Sequence, residues 1–225
     1  ADLRRKAVVF VCPAVDVDGV AEGMYGKDRA PVDFNCDWSA NPKRPEIKLL
    51  RKAIEASRVK CGGKSGRLLA LIDLHAPSVA DVSFPVPPHP AWAGVEAWQR
   101  SWWFSKLIER HSKDDAPLRW ANSDPEHIDW LAIEMGPRLA SHFHAACGLA
   151  DVSMTVELTY HWQANNRLVE PDDLRRIGQA VARALEGLAK GTKMPRGVKP
   201  PEPPFHMNSD WCWLRVPRQC NAKVN

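Results

Sequence analysis

The spacing of apolar positions changes period along this chain, and each change marks an element. "VSMTVEL", Val152 to Leu158, alternates strictly. Val152, Met154, Val156 and Leu158 fall on one side, and Ser153, Thr155 and Glu157 on the other, the period-two pattern of a strand. "EPDDLRRIGQAVARALEGLAKG", Glu170 to Gly191, switches to a period near 3.6. Its stripe is Leu174, Ile177, Val181, Leu185 and Leu188, its start is acidic, and Gly191 supplies a stop. That predicts an amphipathic helix. "RPEIKLLRKAIEAS" predicts another, with Pro45 in its first turn and Ile47, Leu50 and Ile54 on one face. "SDPEHIDWLAIEMGPRLASHF", Ser123 to Phe143, predicts a third. Ser123 and Glu126 form its capping box, Ile128, Leu131, Met135 and Leu139 its stripe, and Pro137 is a candidate kink.

Two apolar runs show no alternation. "AVVFVC" (Ala7–Cys12) ends at Pro13, and "LLALIDL" (Leu68–Leu74) follows the loop "KCGGKSG". Both are the length of strands buried on two faces. Strands alternating with amphipathic helices predict an α/β fold, with a mostly parallel or mixed sheet and flanking helices. From Thr192 the pattern stops in "KMPRGVKPPEPP". The expected organisation is one α/β domain over residues 1–191 and a Pro-rich tail over 192–225, with "HMNSDWCWLRVPRQC" as an edge strand or a cover.

Composition changes this picture little. The chain has 225 residues and a formal net charge of +4, too mild to argue for nucleic acid. No apolar run reaches membrane-spanning length, so neither nucleic acid nor membrane is an expected partner. The basic then apolar start imitates a leader, but its apolar part is short and reads as a strand. Cys12, Cys36, Cys61, Cys147, Cys212 and Cys220 show no C-x-x-C pair and set no framework, so the compartment stays open. The Trp-rich segment from Ser83 to Trp130 places Val95, Trp98 and Trp102 on one helical face. Such residues are core fillers or the wall of a binding site; carbohydrate stacking asks for a flatter platform.

The candidate chemistry lies at the ends of elements. His75 closes the second apolar run. Ligand crevices of open α/β sheets lie beyond the strands' carboxyl ends, so His75 is either a metal ligand or a hydrogen-bonded strand terminus. Glu157 lies near the end of the alternating strand, on the polar side. It is either a general base held by a rigid strand or a residue of a solvated face. Asn35, in "APVDFNCDW", can donate to a carboxylate or simply make a turn.

Together these segments have a familiar order. "VDVDGV", "VDFNCDW", "LIDLHAPS" and "MTVEL", with a Pro-Glu helix between the second and third, resemble in turn the "NPDG" turn, the "D-L-N-R-N/D-W" motif, the "D-L-H-S" strand and the "T-x-E" strand of the carboxypeptidase A-like zinc metallocarboxypeptidases. The resemblance runs from Val8 to about Leu188. It implies a peptide C-terminus as substrate, zinc as cofactor, and removal of a C-terminal residue. It implies His75 as the third zinc ligand, Glu157 as general base and acid, Asn35 as a carboxylate donor, and Lys27 or Arg29 as the oxyanion-stabilising cation.

Three departures accompany it. No histidine is followed three residues later by Glu, so the family's H-x-x-E ligands are absent from this chain, which matches only the C-terminal part of such a domain. Cys36 stands where the family's substrate-gripping Arg would be, and a thiol cannot replace a bidentate guanidinium. Tyr25 and Tyr160 lie away from the family's catalytic-side tyrosine. The expectation is a carboxypeptidase-like protein that is inactive as this isolated chain, or a non-catalytic relative that binds peptides or a partner.

Overall fold

A computed structural model describes residues 3–24, 29–61, 68–76, 83–112, 138–162 and 167–194. Their elements are helices α1 (Leu3–Lys6), α2 (Val17–Glu22) and α3 (Pro45–Cys61), strands β1 (Leu68–His75) and β2 (Phe84–Val86), helices α4 (Pro90–Ala93), α5 (Val95–His111) and α6 (Ala140–Ala146), strand β3 (Ala150–Glu157) and helix α7 (Pro171–Ala189). The sheet has the order β1-β3-β2. β1 runs parallel to β3, from Leu68 opposite Ala150 to His75 opposite Glu157. β2 runs antiparallel, with Phe84 opposite Glu157. The sheet is therefore mixed, with helices packed against it, as the alternating pattern predicts.

The strict alternation of β3 sorts the two faces. Val152, Met154 and Val156 are buried in the main core, with Trp98, Trp102, Phe104, Leu107 and Ile108 of α5 and Ile177, Ala180, Val181 and Ala184 of α7. Trp98 is fully buried, and Trp102 and Trp103 nearly so. These tryptophans are core fillers, which removes them from any stacking surface. Aromatic rings of this size bury more apolar area than any other side chain, so a helix with three of them on the inner side is driven onto the sheet.

The N-terminus of α7 is held by charge. Asp173 is buried and accepts from Arg167 Nη2 at 2.7 Å, Arg176 Nη2 at 2.9 Å and the Glu170 amide at 2.9 Å. The capping box pairs Glu170 with Asp173, so the acidic start predicted from sequence serves both dipole and cap.

A smaller cluster joins Phe34, Trp38, Ile47 and Ala140, with Val15, Leu50, Ile54 and Phe143 beside them. It packs the loop 29–38 between α3 and α6. The α3 stripe lies as predicted, with Ile47 fully buried.

One predicted element is corrected. Ala7–Cys12 forms no strand and pairs with no described residue of the sheet. Val8 and Val11 are about 70% exposed, at 72% and 70%. A β-branched run fits a pleated, half-buried surface, and its strand preference is realised only where neighbours flank it. The "APVDFNCDW" segment is a chain of turns with a cis bond at Ala30–Pro31. Of the helix predicted over 123–143, only the end falls on described residues, and there α6 runs past Phe143 to Ala146. Most of the predicted tail, like Trp120 and Trp130, lies outside the described residues. Cys147 is disulfide-bonded, whereas Cys12, Cys36 and Cys61 are not. No described helix is long and apolar enough to cross a membrane.

Candidate functional site

Residues in register on adjacent strands point to the same side of a sheet. Asp73 lies opposite Thr155 and His75 opposite Glu157. These four side chains therefore share one face, at the carboxyl ends of two parallel strands. It is the face opposite the tryptophan core, and α6 covers part of it. Ser141 of α6 meets Thr155, Oγ to Oγ1, at 2.9 Å, and Ser153 Oγ donates to the Ser141 carbonyl at 2.7 Å. Glu157 is 5% exposed. The solvated-face reading of Glu157 is thereby removed: "S-x-T-x-E" lines a polar interior.

Asn35 reaches the same place from the other side. Its Oδ1 accepts from the Ala140 amide at 3.2 Å, and the Trp38 backbone N–H donates to the Arg138 carbonyl at 2.9 Å. The loop is thus stitched to the start of α6. The Asn35 side chain also favours the charged form of the Asp73 carboxyl. His75, Glu157 and Asn35, far apart in sequence, are joined through Asp73, Thr155 and α6.

Asp73 is the residue that sequence reasoning passed over. Desolvation pushes its carboxyl above the usual carboxylate range, while the His75 charge and hydrogen bonds from Thr155 and Asn35 pull the other way. Its Oδ2 is sealed from solvent without a hydrogen-bond partner among the described residues, and His75 Nδ1 lies 3.8 Å away. The signal was available in "LIDLH": in a strand, the residue two before His75 lies on the same face.

The loop itself is held by Arg44, also missed. Its guanidinium donates to the carbonyls of Arg29 at 2.6 Å and Ala30 at 3.0 Å, and to that of Val32, and it stacks on Phe34 at 3.8 Å. Asp37 accepts from the Lys43 and Arg44 amides at 3.0 and 2.7 Å. "NCDW" thus acquires a structural reading at Asp37 and Trp38. Cys36 is buried, and its N–H donates to the Asp33 carbonyl at 3.1 Å.

The two candidate cations part company. Arg29 pairs with Asp16 at 2.6 Å. Asp16 also caps α2 by accepting from the Gly19 amide at 2.9 Å. "VDVDGV" therefore serves as a helix start that grips Arg29. Lys27 lies outside the described residues.

Two buried histidines, His142 and His144, lie on α6, and the half-buried His89 precedes α4. Burial lowers His142 to about 3, with His89 contributing, and lowers His144 and His89 to about 4. His142 Nε2 is sealed without a hydrogen-bond partner among the described residues.

A zinc centre needs more than these residues offer. Catalytic zinc takes about three protein ligands, and no group of three or more His, Cys, Asp or Glu among the described residues could hold a metal ion. His75 supplies one donor, so the described residues do not fit a zinc site by themselves.

No protein-family model matches the sequence, and no curated protein does. Solved structures do match. A metallo-carboxypeptidase from Burkholderia cenocepacia superposes with a TM-score of 0.57 and 18% identity, covering 80% of this chain and 44% of its own. A metallo-carboxypeptidase from Pseudomonas aeruginosa, in complex with (2-guanidinoethylmercapto)succinic acid, gives 0.50 and 18%, covering 80% and 45%. The chain spans less than half the length of these structures. Its fold resembles part of the metallo-carboxypeptidase fold.

Proposed function

We propose that this chain is the C-terminal portion of a metallo-carboxypeptidase-like domain, and that its polar cleft receives the C-terminus of a peptide. The observation that carries this reading is the pairing of His75 with Glu157 at the ends of adjacent parallel strands, on the polar face. An imidazole and a buried carboxylate side by side at a strand-end crevice suit proton exchange with a bound peptide. Asn35 is the candidate donor to the peptide's terminal carboxylate, and Arg29 or Lys27 the candidate cation. Zinc chemistry would require ligands beyond those described, and hydrolysis is a property proposed for a complete domain.

A second reading is a non-catalytic relative that binds peptides or a partner. It is favoured by the lack of a three-residue metal-holding group among the described residues and by Cys36 in place of the family's arginine.

Titration of the chain with matched peptides bearing a free or an amidated C-terminus tests the shared part of both readings. Tighter binding of the free acid, weakened by Asn35→Ala, is expected. Equal binding of the two peptides, or binding of neither, would overturn carboxylate recognition.

A further inference from the structure

We infer that Trp162, with His161 and Leu168 beside it, forms an aromatic lip just beyond the carboxyl end of β3. This lip selects an aromatic side chain one to three residues before the C-terminus of a bound peptide. The inference rests on the reading of the site as one that receives a peptide C-terminus.

The lip is built where β3 stops. The Leu158 amide still donates to the His75 carbonyl at 2.8 Å, and the Thr159 amide donates to Ser83 Oγ at 3.0 Å. The chain then bends at Tyr160 and His161. The His161 amide donates to Thr159 Oγ1 at 3.4 Å, and the Val169 amide donates to the His161 carbonyl at 3.0 Å. Trp162 and Leu168 pair as an antiparallel bridge, and such partners carry their side chains on one side of the pair. The His161 and Trp162 rings lie 5.2 Å apart, tilted by 37°. Backbone bonds on both sides thus hold the segment that carries the two rings.

Exposure sets Trp162 apart. Trp98, Trp102 and Trp103 are buried, whereas Trp162 is 43% and Leu168 54% exposed. Contiguous apolar surface left open beside a site marks a binding surface, and size decides what it takes. A stable protein–protein interface buries about 800 Å² per partner, whereas one aromatic side chain buries about 150–250 Å². Two rings and a leucine match the second. Charge agrees with this: Arg167, the cation next to Leu168, is committed to the buried Asp173 at 2.7 Å. The contact on offer is ring against ring. Reach agrees as well. Trp162 follows Glu157 by five residues, a span of at most about 18 Å, and the two bends shorten it. An extended peptide advances about 3.3 Å per residue. A peptide that ends near Glu157 therefore brings a side chain shortly before its terminus to the lip.

The test is fluorescence polarisation of the chain with N-terminally labelled alanine hexapeptides. Phenylalanine is placed second, third or fourth from the end, and each peptide is made with a free and an amidated C-terminus. At one of these positions phenylalanine is expected to tighten binding about tenfold. Trp162→Ala should remove that gain and leave the all-alanine peptide bound as before, while Trp162→Phe should keep most of it. Melting temperatures show whether each variant is folded. Leu168→Ala, expected to reduce the gain, serves where Trp162→Ala does not fold. No gain at any of the three positions in the wild-type chain overturns the inference. So does a gain that survives undiminished in a folded Trp162→Ala or Leu168→Ala chain. A gain that depends on Trp162 but is equal for free-acid and amidated peptides upholds the lip and sinks carboxylate recognition alone. A free-acid preference without any phenylalanine gain sinks the lip alone, and binding of none of the peptides overturns both.

Discussion

Arg29 Nη1 lies 2.6 Å from Asp16 Oδ1, and Gly19 sits where both side chains pass. A Cβ at Gly19 would overlap Asp16 Oδ2 and Arg29 Nη1 and stand 2.6 Å from Asp16 Cγ. No side chain fits there without displacing the pair.

Gly19→Ala is therefore expected to release Arg29 and weaken the cap of α2. A loss of about 1 kcal/mol of stability is expected from the cap, read by chemical denaturation. Asp16→Asn keeps the cap and removes the charge, so it should cost less than Gly19→Ala. The reverse order would show that the close approach at Gly19 carries no strain.

Arg44 holds the loop through three carbonyls and a ring. Arg44→Lys retains the charge and loses the planar fork, which is not a conservative change at such a site. A loss of about 2 kcal/mol is expected, with free-acid peptide binding weakened because Asn35 rides on the same loop. A melting temperature equal to that of the wild type would contradict the clamp.

Cys36 is buried, as are its neighbours Phe34 and Trp38. Cys36→Arg must force a long side chain into a packed site. A destabilisation of about 1–3 kcal/mol is expected, whereas Cys36→Ala should fall near the low end of large-to-small changes. Calorimetry of the two variants checks the order.

Acid should unfold this protein early. His142, His144 and His89 have folded values of about 3, 4 and 4, against 6.5 unperturbed, because burial disfavours the cation. The unfolded chain binds protons first, so stability is complete above about pH 6.5 and falls as pH drops toward 4. Asp173, lowered mainly by its bond to Arg167, extends the loss below the ordinary aspartate range. Denaturation midpoints between about pH 7 and 4 should show a slope that His142→Gln reduces. A flat profile over that window would refute the assignment.

Zinc alone should bind weakly, since one imidazole is far from the three ligands of a catalytic site. Isothermal titration of this chain is expected to show no tight one-to-one event. A tight event would point to ligands beyond the described residues, or to regrouping around His142, His144 or Cys36.

What the sequence made legible was set by periodicity. β3 and α7 each carry a full pattern, and both lie within a residue or two of their predicted bounds. The placing of His75 and Glu157 at strand ends was legible because each closes a segment that reads as a strand. The face that Asp73 shares with His75 was readable in "LIDLH", but its burial was not, since nothing in one strand shows that α6 and the 29–38 loop pack against it. Val8 to Val11 misled for the opposite reason: residue type announces a strand, but only a neighbouring strand makes one. Arg44 looked like an ordinary charge at the start of a helix, and its role depends on three carbonyls presented by a distant turn.

The parallel pairing of β1 with β3 also governs when the candidate site can form. Leu68 must wait for Ala150, and His75 for Glu157, so the two halves of the site are joined by a contact of long sequence separation. Such contacts require loop closure before they return any stabilisation, and they slow folding. During synthesis from the N-terminus, the strand bearing His75 leaves the ribosome well before its partner exists. In that interval Leu69, Leu71 and Ile72 have no ladder to join, and a hydrophobic strand in waiting is prone to self-association. The ladder that aligns the imidazole with the carboxylate is thus also a late-formed and aggregation-exposed step in making this protein.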